Sequence, residues 1–313
     1  MTGAGIMYYF IINPNSRSGE GFHTWKAAEE LLRERAVEYE AYFTEGTGHA
    51  SRLARQIAAL SLPCTLTVVG GDGTLNEVAN GLADTEYSHI TLGYIPTGSG
   101  NDFARGLGLS CDVKTCIDSI LSPREIVSVD LGLSRTREAS RYFLVSSGIG
   151  YDADICRNVT ASPLKKLLNR LHLGKLTYAA IALGLLFRYD PCPVCVRLDK
   201  KKTFSIPRYF FITGMIQKYE GGGVKFCPYA RYDDGLLDFC IAGNLAKAKI
   251  LFLFPTAFAG KHTDFSGVHI LRGKRLDIIS QAPLPIHCDG ESMGCSSHLT
   301  LYASDKKLPV ILR

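Results

Sequence analysis

Two glycine-rich runs constrain this chain more than any other feature: Gly70-Gly71-Asp72-Gly73-Thr74-Leu75-Asn76-Glu77 and Pro96-Thr97-Gly98-Ser99-Gly100-Asn101-Asp102-Phe103-Ala104-Arg105. The first follows the apolar run 65–69 and precedes the apolar 78–82, a pattern of buried strand, glycine turn and helix start. The second follows another strand-like run at 90–95. Glycine permits tight turning and close approach of backbone to a ligand, and the N–H groups of a helix start attract phosphate. A lone glycine cluster is usually only a turn. Two of them, at the ends of neighbouring parallel strands, would share the sheet edge at which α/β folds bind ligands. Asp72 would repel phosphate and suits a metal ion or its waters instead, so the pattern points to a metal-nucleotide.

The first 130 residues alternate strand and helix, with strands at 8–12 and 38–43, helices at 25–35 and 50–60, the two loop-bearing strands, and a helix closing at 117–121. This predicts an α/β domain over 1–130 with a parallel sheet. Beyond it, short alternating runs dominate at 142–146, 195–198, 209–213, 236–241, 269–271, 276–279, 285–288 and 298–302. They predict a mostly antiparallel β-domain over 131–303, interrupted by helices near 164–187 and 246–258. Residues 304–313 are expected to pair back onto the first domain.

Composition narrows the function. A chain of 313 residues with 46% hydrophobic content can bury a substantial core. Its longest apolar stretch, 176–187, is about 12 residues, below the roughly 20 that span a bilayer, and the N-terminus lacks the basic flank and apolar core of a secretion signal. A cytoplasmic location is expected. Ten cysteines without framework spacing read as reduced thiols, and Cys192-Pro193-Val194-Cys195 reads as strand, since no second Cys-x-x-Cys exists to complete a zinc site. A net charge of +5, with no aromatic-basic stacking motif, argues against nucleic acid. Lys165, Lys166, Arg170, His172 and Lys175 interleave with Leu164, Leu167, Leu168, Leu171, Leu173 and Leu176. That pattern suits an anionic membrane surface and equally an ordinary surface helix with its leucines inward.

The two glycine runs resemble those of the diacylglycerol kinase catalytic family, which includes soluble bacterial lipid kinases and, more distantly, sphingosine and ceramide kinases. The resemblance extends over nearly the whole chain, through Ile11-Ile12-Asn13-Pro14-Asn15-Ser16-Arg17-Ser18-Gly19, Val129-Asp130-Leu131-Gly132, Gly174-Lys175-Leu176-Thr177-Tyr178, Pro228-Tyr229-Ala230-Arg231-Tyr232-Asp233-Asp234-Gly235-Leu236-Leu237-Asp238 and Asp289-Gly290-Glu291. It implies an N-terminal domain like those of phosphofructokinases and NAD kinases, a C-terminal β-sandwich, and an active site in the cleft between them.

The resemblance also assigns roles. ATP would meet Asn13, Pro14, Asn15, Ser16, Thr44, Gly70, Gly71, Asp72, Gly73, Thr74, Leu75, Asn76, Ser99 and Arg105. Asp72, Asp102 and Asp130 would organise the waters of a nucleotide-bound Mg²⁺. Read alone, Asp102 could equally cap a helix, a reading with less force for Asp72. Asp289 or Glu291 would be the base, both aimed to one side if the segment is extended. Asp234, with the carbonyls of Arg231 and Leu236, would hold a second, structural Mg²⁺ or Ca²⁺. One departure is Glu20, where many relatives carry a basic residue after Ser-Gly; either Arg17 replaces that cation or the loop is displaced.

The implied function is transfer of the ATP γ-phosphoryl group to a lipid hydroxyl at a membrane surface, diacylglycerol first among acceptors, by a chain for which a homodimer is one assembly. Phosphatidylglycerol or a sphingoid base, a soluble acceptor as in NAD kinases, and a non-catalytic nucleotide or lipid sensor are the alternatives.

Overall fold

The computed structural model describes residues 6–161 and 174–313. The chain forms two compact units, Met1–Val129 with Lys306–Arg313, and Asp130–Asp305. The basic, leucine-rich segment at 164–173 lies outside the described residues.

In the first unit, strands β1 (Met7–Ile12), β2 (Tyr39–Phe43), β3 (Cys64–Gly70) and β4 (Ile90–Pro96) run parallel in the order β4–β3–β1–β2. The last residues return to this sheet, where Val310 pairs in parallel with Leu92. Strand β3 is buried along its whole length, as a central parallel strand covered on both faces must be. Helices α1 (Glu20–Glu34) and α5 (Val113–Leu121) cover a core of Phe10, Ile12, Trp25, Leu32, Ile95 and Ile117. Helices α2 (His49–Ala59) and α3 (Asp72–Ala83) pack together. A Cβ at Gly81 would lie 2.4 Å from the Ser51 carbonyl oxygen, so that close approach needs glycine. Two helices begin earlier than apolar periodicity suggests, α1 at Glu20 and α3 at Asp72, because their polar first turns carry no apolar repeat. The short α4 (Asp102–Leu107) follows β4.

The second unit is antiparallel. Strand β5 (Ile126–Arg135) pairs with β6 (Ser140–Phe143), and β7 (Ser146–Gly150) leads into α6 (Tyr151–Ala161). After α7 (Gly174–Arg188) come β8 (Cys192–Leu198), β9 (Lys202–Met215), β10 (Leu237–Gly243), α8 (Lys247–Phe258), β11 (Val268–Gly273), β12 (Arg275–Cys288) and β13 (Glu291–Ile311). Strands β9 and β12 are long, and each pairs with β8 at one end and β7 at the other. Phe210, Met215, Cys240 and Leu253 lie at the heart of a core that extends under α7 and α8. The Cys192–Cys195 segment is strand, and all ten cysteines are free.

Two strand expectations change. The run 142–146 is not one strand but the end of β6 and the start of β7, broken at Leu144 and Val145. The runs 276–279 and 285–288 are one strand, β12, whose register shifts between Ile279 and Leu284. Pro283 and Pro285 withhold N–H donors there, so the strand bends through irregular pairing instead of ending.

Trp25 is the chain's single tryptophan and is 1% exposed, so its fluorescence reports the first unit's core. Leu32→Ala in that core is expected to cost about 2–5 kcal/mol, read as a lower urea midpoint of Trp25 fluorescence. A shift under about 0.5 kcal/mol, the size of a surface change, would contradict this packing.

Candidate active site

The C-terminal ends of β1, β3 and β4 carry three loops that are tied to one another. The Asn13 side-chain amide donates to Thr74 Oγ1 at 2.9 Å, and Ser16 Oγ shares a 2.6 Å hydrogen bond with Thr97 Oγ1. The Thr97 N–H donates to the Gly70 carbonyl at 2.8 Å. The glycine loops touch through backbone: a Cβ on Gly98 would lie 2.8 Å from Gly71 Cα, and one on Gly71 would lie 3.1 Å from Gly98 Cα. Gly71 is the N-cap of α3, and the first bond into the helix runs from Leu75 N–H to the Gly71 carbonyl. The N–H groups of Asp72, Gly73 and Thr74 therefore form a helix start suited to an anion.

The remaining first-unit candidates surround this point unequally. Thr44 is buried at the end of β2, its N–H on the Ile12 carbonyl. Pro14 is half-buried; Asn15 and Ser99 are exposed. Leu75 and Asn76 are buried, so their side chains serve the packing of α3, and Asn76 bonds to Asn80. The opening loop is anchored at Asn13 and Ser16, with Arg17, Ser18 and Gly19 all left-handed (φ 44°, 61° and 103°). Glu20 is the first residue of α1, where a carboxylate meets the positive end of the helix, and this accounts for an acid at that position.

The aspartates divide the work differently from the sequence reading. The helix-capping carboxylate is Asp72, whose oxygens accept from the N–H groups of Asp102 and Phe103, both at 3.1 Å. Asn101 occupies the N-cap position at φ 50° and accepts from the Gly98 N–H at 2.7 Å. Asp102 is buried, with Arg105 Nε 3.8 Å from its Oδ1. A Cβ on Gly100 would lie 3.1 Å from Asp102 Oδ2 and 3.5 Å from Asp72 Oδ2, so the two carboxylates border the space beside Gly100. Thr97 and Asn101 belong to the quoted run, yet nothing in the sequence marks them as its fasteners. Glu77 is another, accepting from Gly48 N–H at 2.7 Å and Ala50 N–H at 3.2 Å at the start of α2.

In the second unit Asp130 is fully buried, its N–H on the Tyr232 carbonyl and its Oδ2 accepting from Gly235 N–H at 2.7 Å. It thus fixes the loop that carries Arg231, Asp234 and Leu236. Asp234 Oδ1 accepts from the Leu236 N–H at 3.0 Å and its Oδ2 pairs with Arg272. In this structure the Arg272 guanidinium lies on the carboxylate that the sequence reading assigns to a second ion. Arg231 pairs with Asp233. Burial pushes the neighbouring Asp238 carboxyl up to about 6, opposed by Arg272 and reinforced by Asp234.

Asp289-Gly290 is a two-residue hairpin turn between β12 and β13, both residues left-handed (φ 48° and 79°), the signature of a type I′ turn. Because Asp289 sits in the turn and not in an extended segment, the alternation argument for its direction fails. Its carboxylate folds back to accept from the N–H groups of Leu144, Val145 and Ser146, each at 2.9 Å. Those bonds replace ladder pairing and are the reason the 142–146 run breaks. Glu291, 40% exposed at its side chain, pairs with Arg141 at 2.7 Å. The Gly174–Tyr178 motif opens α7, where side chains lie outside the described residues.

A third constellation escaped the sequence reading: Asp152, Glu220 and His287, whose donor atoms lie within 4.8 Å of one another. Burial would lower the His287 pKa, but the Glu220 and Asp152 carboxylates outweigh it and push it up to about 9. Residues so far apart in sequence give no local signal; the pairing of β7 with β12 on one side and with β9 on the other brings them together.

Two outcomes test these assignments. Asp289→Ala removes the acceptor for three N–H groups and is expected to cost at least about 2 kcal/mol, whereas Asp289→Asn keeps the turn and loses less; equal thermal shifts would contradict the capping role. Asp238 holds its proton more tightly folded than unfolded, where a carboxyl titrates near about 4. Its contribution to stability is therefore greatest below about 4 and is lost as pH rises through about 6. Urea titrations from pH 4 to 7 should show this decline and Asp238→Asn should remove it; an unchanged slope would dismiss it.

Comparison with known proteins agrees with this anatomy. Residues 7–133 match the model of the diacylglycerol kinase catalytic domain, and residues 145–311 that of the YegS C-terminal NAD kinase beta sandwich-like domain. YtlR of Bacillus subtilis (strain 168), described as a candidate lipid kinase, is 32% identical over 92% of this chain and 94% of its own. A diacylglycerol kinase of Mycobacterium tuberculosis (strain CDC 1551 / Oshkosh) is 28% identical over 90% and 87%. A diacylglycerol kinase structure from Bacillus anthracis str. Sterne superposes with a TM-score of 0.70 at 19% identity, covering 100% of this chain and 98% of that one, a likeness of fold. With an α/β first unit ending its strands in paired glycine loops and an antiparallel second unit closing on an Asp-Gly-Glu turn, the chain is a kinase of the diacylglycerol kinase catalytic family.

Proposed function

We propose that the protein transfers the γ-phosphoryl group of Mg·ATP to the hydroxyl of a lipid, with diacylglycerol as the leading acceptor and phosphatidic acid as its product. The observation that carries this reading is the contact of the Gly71 and Gly98 backbones beside the start of α3, which offers N–H groups to phosphate while Asp72 and Asp102 stand next to it. Two carboxylates around the open space at Gly100 fit a hydrated Mg²⁺, an ion that keeps most of its waters. When bound, that ion neutralises charge on the phosphates. Arg105, close to Asp102 and to the Gly100 carbonyl, adds a cation at the same loop.

Acceptor chemistry falls to the Asp-Gly-Glu turn. The acceptor oxygen bonds to the γ-phosphorus, ADP leaves, and the hydroxyl proton needs a base. Asp289 has three backbone N–H groups on its carboxylate and serves to lock the turn. Glu291 is the group assigned to take the proton, with Arg141 orienting it.

A lipid acceptor is further supported by the surface of α7 and α8, where Leu183, Phe187, Leu251, Phe252, Phe254 and Phe258 are exposed. Lys247, Lys249 and Lys261 are the charged residues of the stretch 244–263, which contains no acid. An apolar face rimmed by lysines suits peripheral contact with an anionic leaflet. No helix among the described residues is long and apolar enough to cross a membrane.

The test is transfer of labelled γ-phosphate from Mg·ATP to diacylglycerol, monoacylglycerol, phosphatidylglycerol, ceramide and sphingosine in mixed micelles. Labelled phosphatidic acid is the expected product. Glu291→Gln should lower kcat by about 10²-fold or more with an unchanged melting temperature, since an exposed ion pair contributes under about 1 kcal/mol. No labelled lipid, despite ATP binding, would overturn the lipid reading; loss of turnover in Asp289→Asn at unchanged stability, with Glu291→Gln active, would reverse the two roles.

A further inference from the structure

We propose that Asp152, Glu220 and His287 form a buried site for one divalent transition-metal ion, Zn²⁺ or Mn²⁺, inside the second unit. His287 is fully buried, and Asp152 and Glu220 are 9% and 8% exposed. His287 Nε2 lies 3.2 Å from Asp152 Oδ2 and 3.3 Å from Glu220 Oε1. These are the separations between ligand atoms on a tetrahedral ion with bonds of about 2.0 Å, roughly 3.3 Å.

Hydrogen bonding alone accounts poorly for the arrangement. Nε2 has a single N–H, which cannot align with two carboxylate oxygens, and both distances exceed the roughly 2.7–2.9 Å of a charge-assisted bond. Charge points the same way. A protonated histidine between two carboxylates leaves one net negative charge in a buried pocket, which is costly. A dication with a neutral imidazole and two carboxylates sums to zero. Carboxylate with imidazole is a donor set for first-row transition metals, while Mg²⁺ and Ca²⁺ prefer oxygen alone.

The surroundings aim the two carboxylates. Asp152 Oδ1 accepts from the Ala153 N–H at 2.8 Å where α6 begins, and Thr213 Oγ1 donates to Glu220 Oε2 at 3.2 Å. One oxygen of each carboxylate is thereby held by the protein while the other lies on His287, the outer-shell pattern that orients metal ligands. Glu220 is fixed further by reciprocal 2.9 Å backbone bonds with Val224. Gly148, opposite His287 in the β7–β12 register, leaves the needed space: a Cβ there would lie 2.5 Å from Asp152 Oδ2 and 2.7 Å from His287 Nε2. The site shares no residue with the Asp234 loop or the nucleotide loops, and it does not rest on the kinase reading.

The full-length chain, stripped with EDTA and dialysed without nucleotide against ZnCl₂, MnCl₂ or MgCl₂, is measured by elemental analysis and calorimetry. One equivalent of Zn²⁺ or Mn²⁺ per chain, a raised melting temperature, and a tetrahedral ligand-field spectrum with Co²⁺ are expected. Asp152→Asn should abolish binding, and Thr213→Val, which leaves all three ligands in place, should weaken it about 10–100-fold. Asp102→Asn should leave it unchanged. Wild-type protein that binds less than stoichiometric Zn²⁺ and Mn²⁺, or prefers Mg²⁺, would overturn the proposal whatever the variants do. So would stoichiometric binding that folded Asp152→Asn retains.

Discussion

Backbone N–H groups without a ladder or helix partner must find an acceptor, and in this chain the carboxylates of the family motifs provide it. Asp72 takes the first N–H groups of α4, Glu77 those at the start of α2, and Asp130 that of Gly235. Asp289 takes three consecutive N–H groups at 144–146. In each case an acid on one element terminates or starts another distant in sequence. The glycines complete the device, because Gly71 and Gly98 meet through backbone and Gly100 leaves Asp72 and Asp102 side by side. The loops are thus positioned before any ligand arrives, which favours binding by removing the cost of ordering them.

This double use explains what the sequence disclosed. Strand, glycine loop and helix start succeed one another locally, so the parallel sheet and the phosphate-facing end of α3 are legible from residues 64–83 alone. Antiparallel pairing in the second unit is legible as alternation. The limits of individual strands are not. Leu144 and Val145 look like strand and would be strand, were their N–H groups not claimed by a carboxylate more than 140 positions away. Pro283 and Pro285 look like a strand end, yet β12 continues through them because β8 and β7 hold its two halves. The cap of α4 is hidden for the same reason: sequence offers Asp102, inside the helix itself, whereas the structure supplies the capping carboxylate from Asp72 in the helix before.

The loop around Asp234 shows how charge balance decides between an ion and a side chain. The oxygen donors anticipated there are one carboxylate and two carbonyls, a set that leaves the rest of a hard cation's shell to water. Arg272 on β11 brings a permanent positive charge to Asp234 and stands 3.9 Å from Asp238. Asp130 then ties the same loop to β5 through Gly235. In this structure the Arg272 guanidinium supplies the positive charge beside Asp234.

Strand β12 carries the consequence furthest. His287 and Asp289 lie two residues apart, but the left-handed backbone at Asp289 turns its carboxylate back onto 144–146 while His287 stays inside the unit between Asp152 and Glu220. The Ser147 hydroxyl, on the β7 residue opposite Cys288, donates to the His287 carbonyl at 2.6 Å. The end of β12 is therefore fastened on both sides of Cys288, by the buried triad at His287 and by the cap at Asp289. Glu291 is the next side chain after the turn and pairs with Arg141. In the proposed reaction, freedom is concentrated at the carboxylate assigned to take the proton, and rigidity at the residues that precede it. That is the distribution a general base requires, since its reach is set by the backbone and its chemistry by a side chain still able to move.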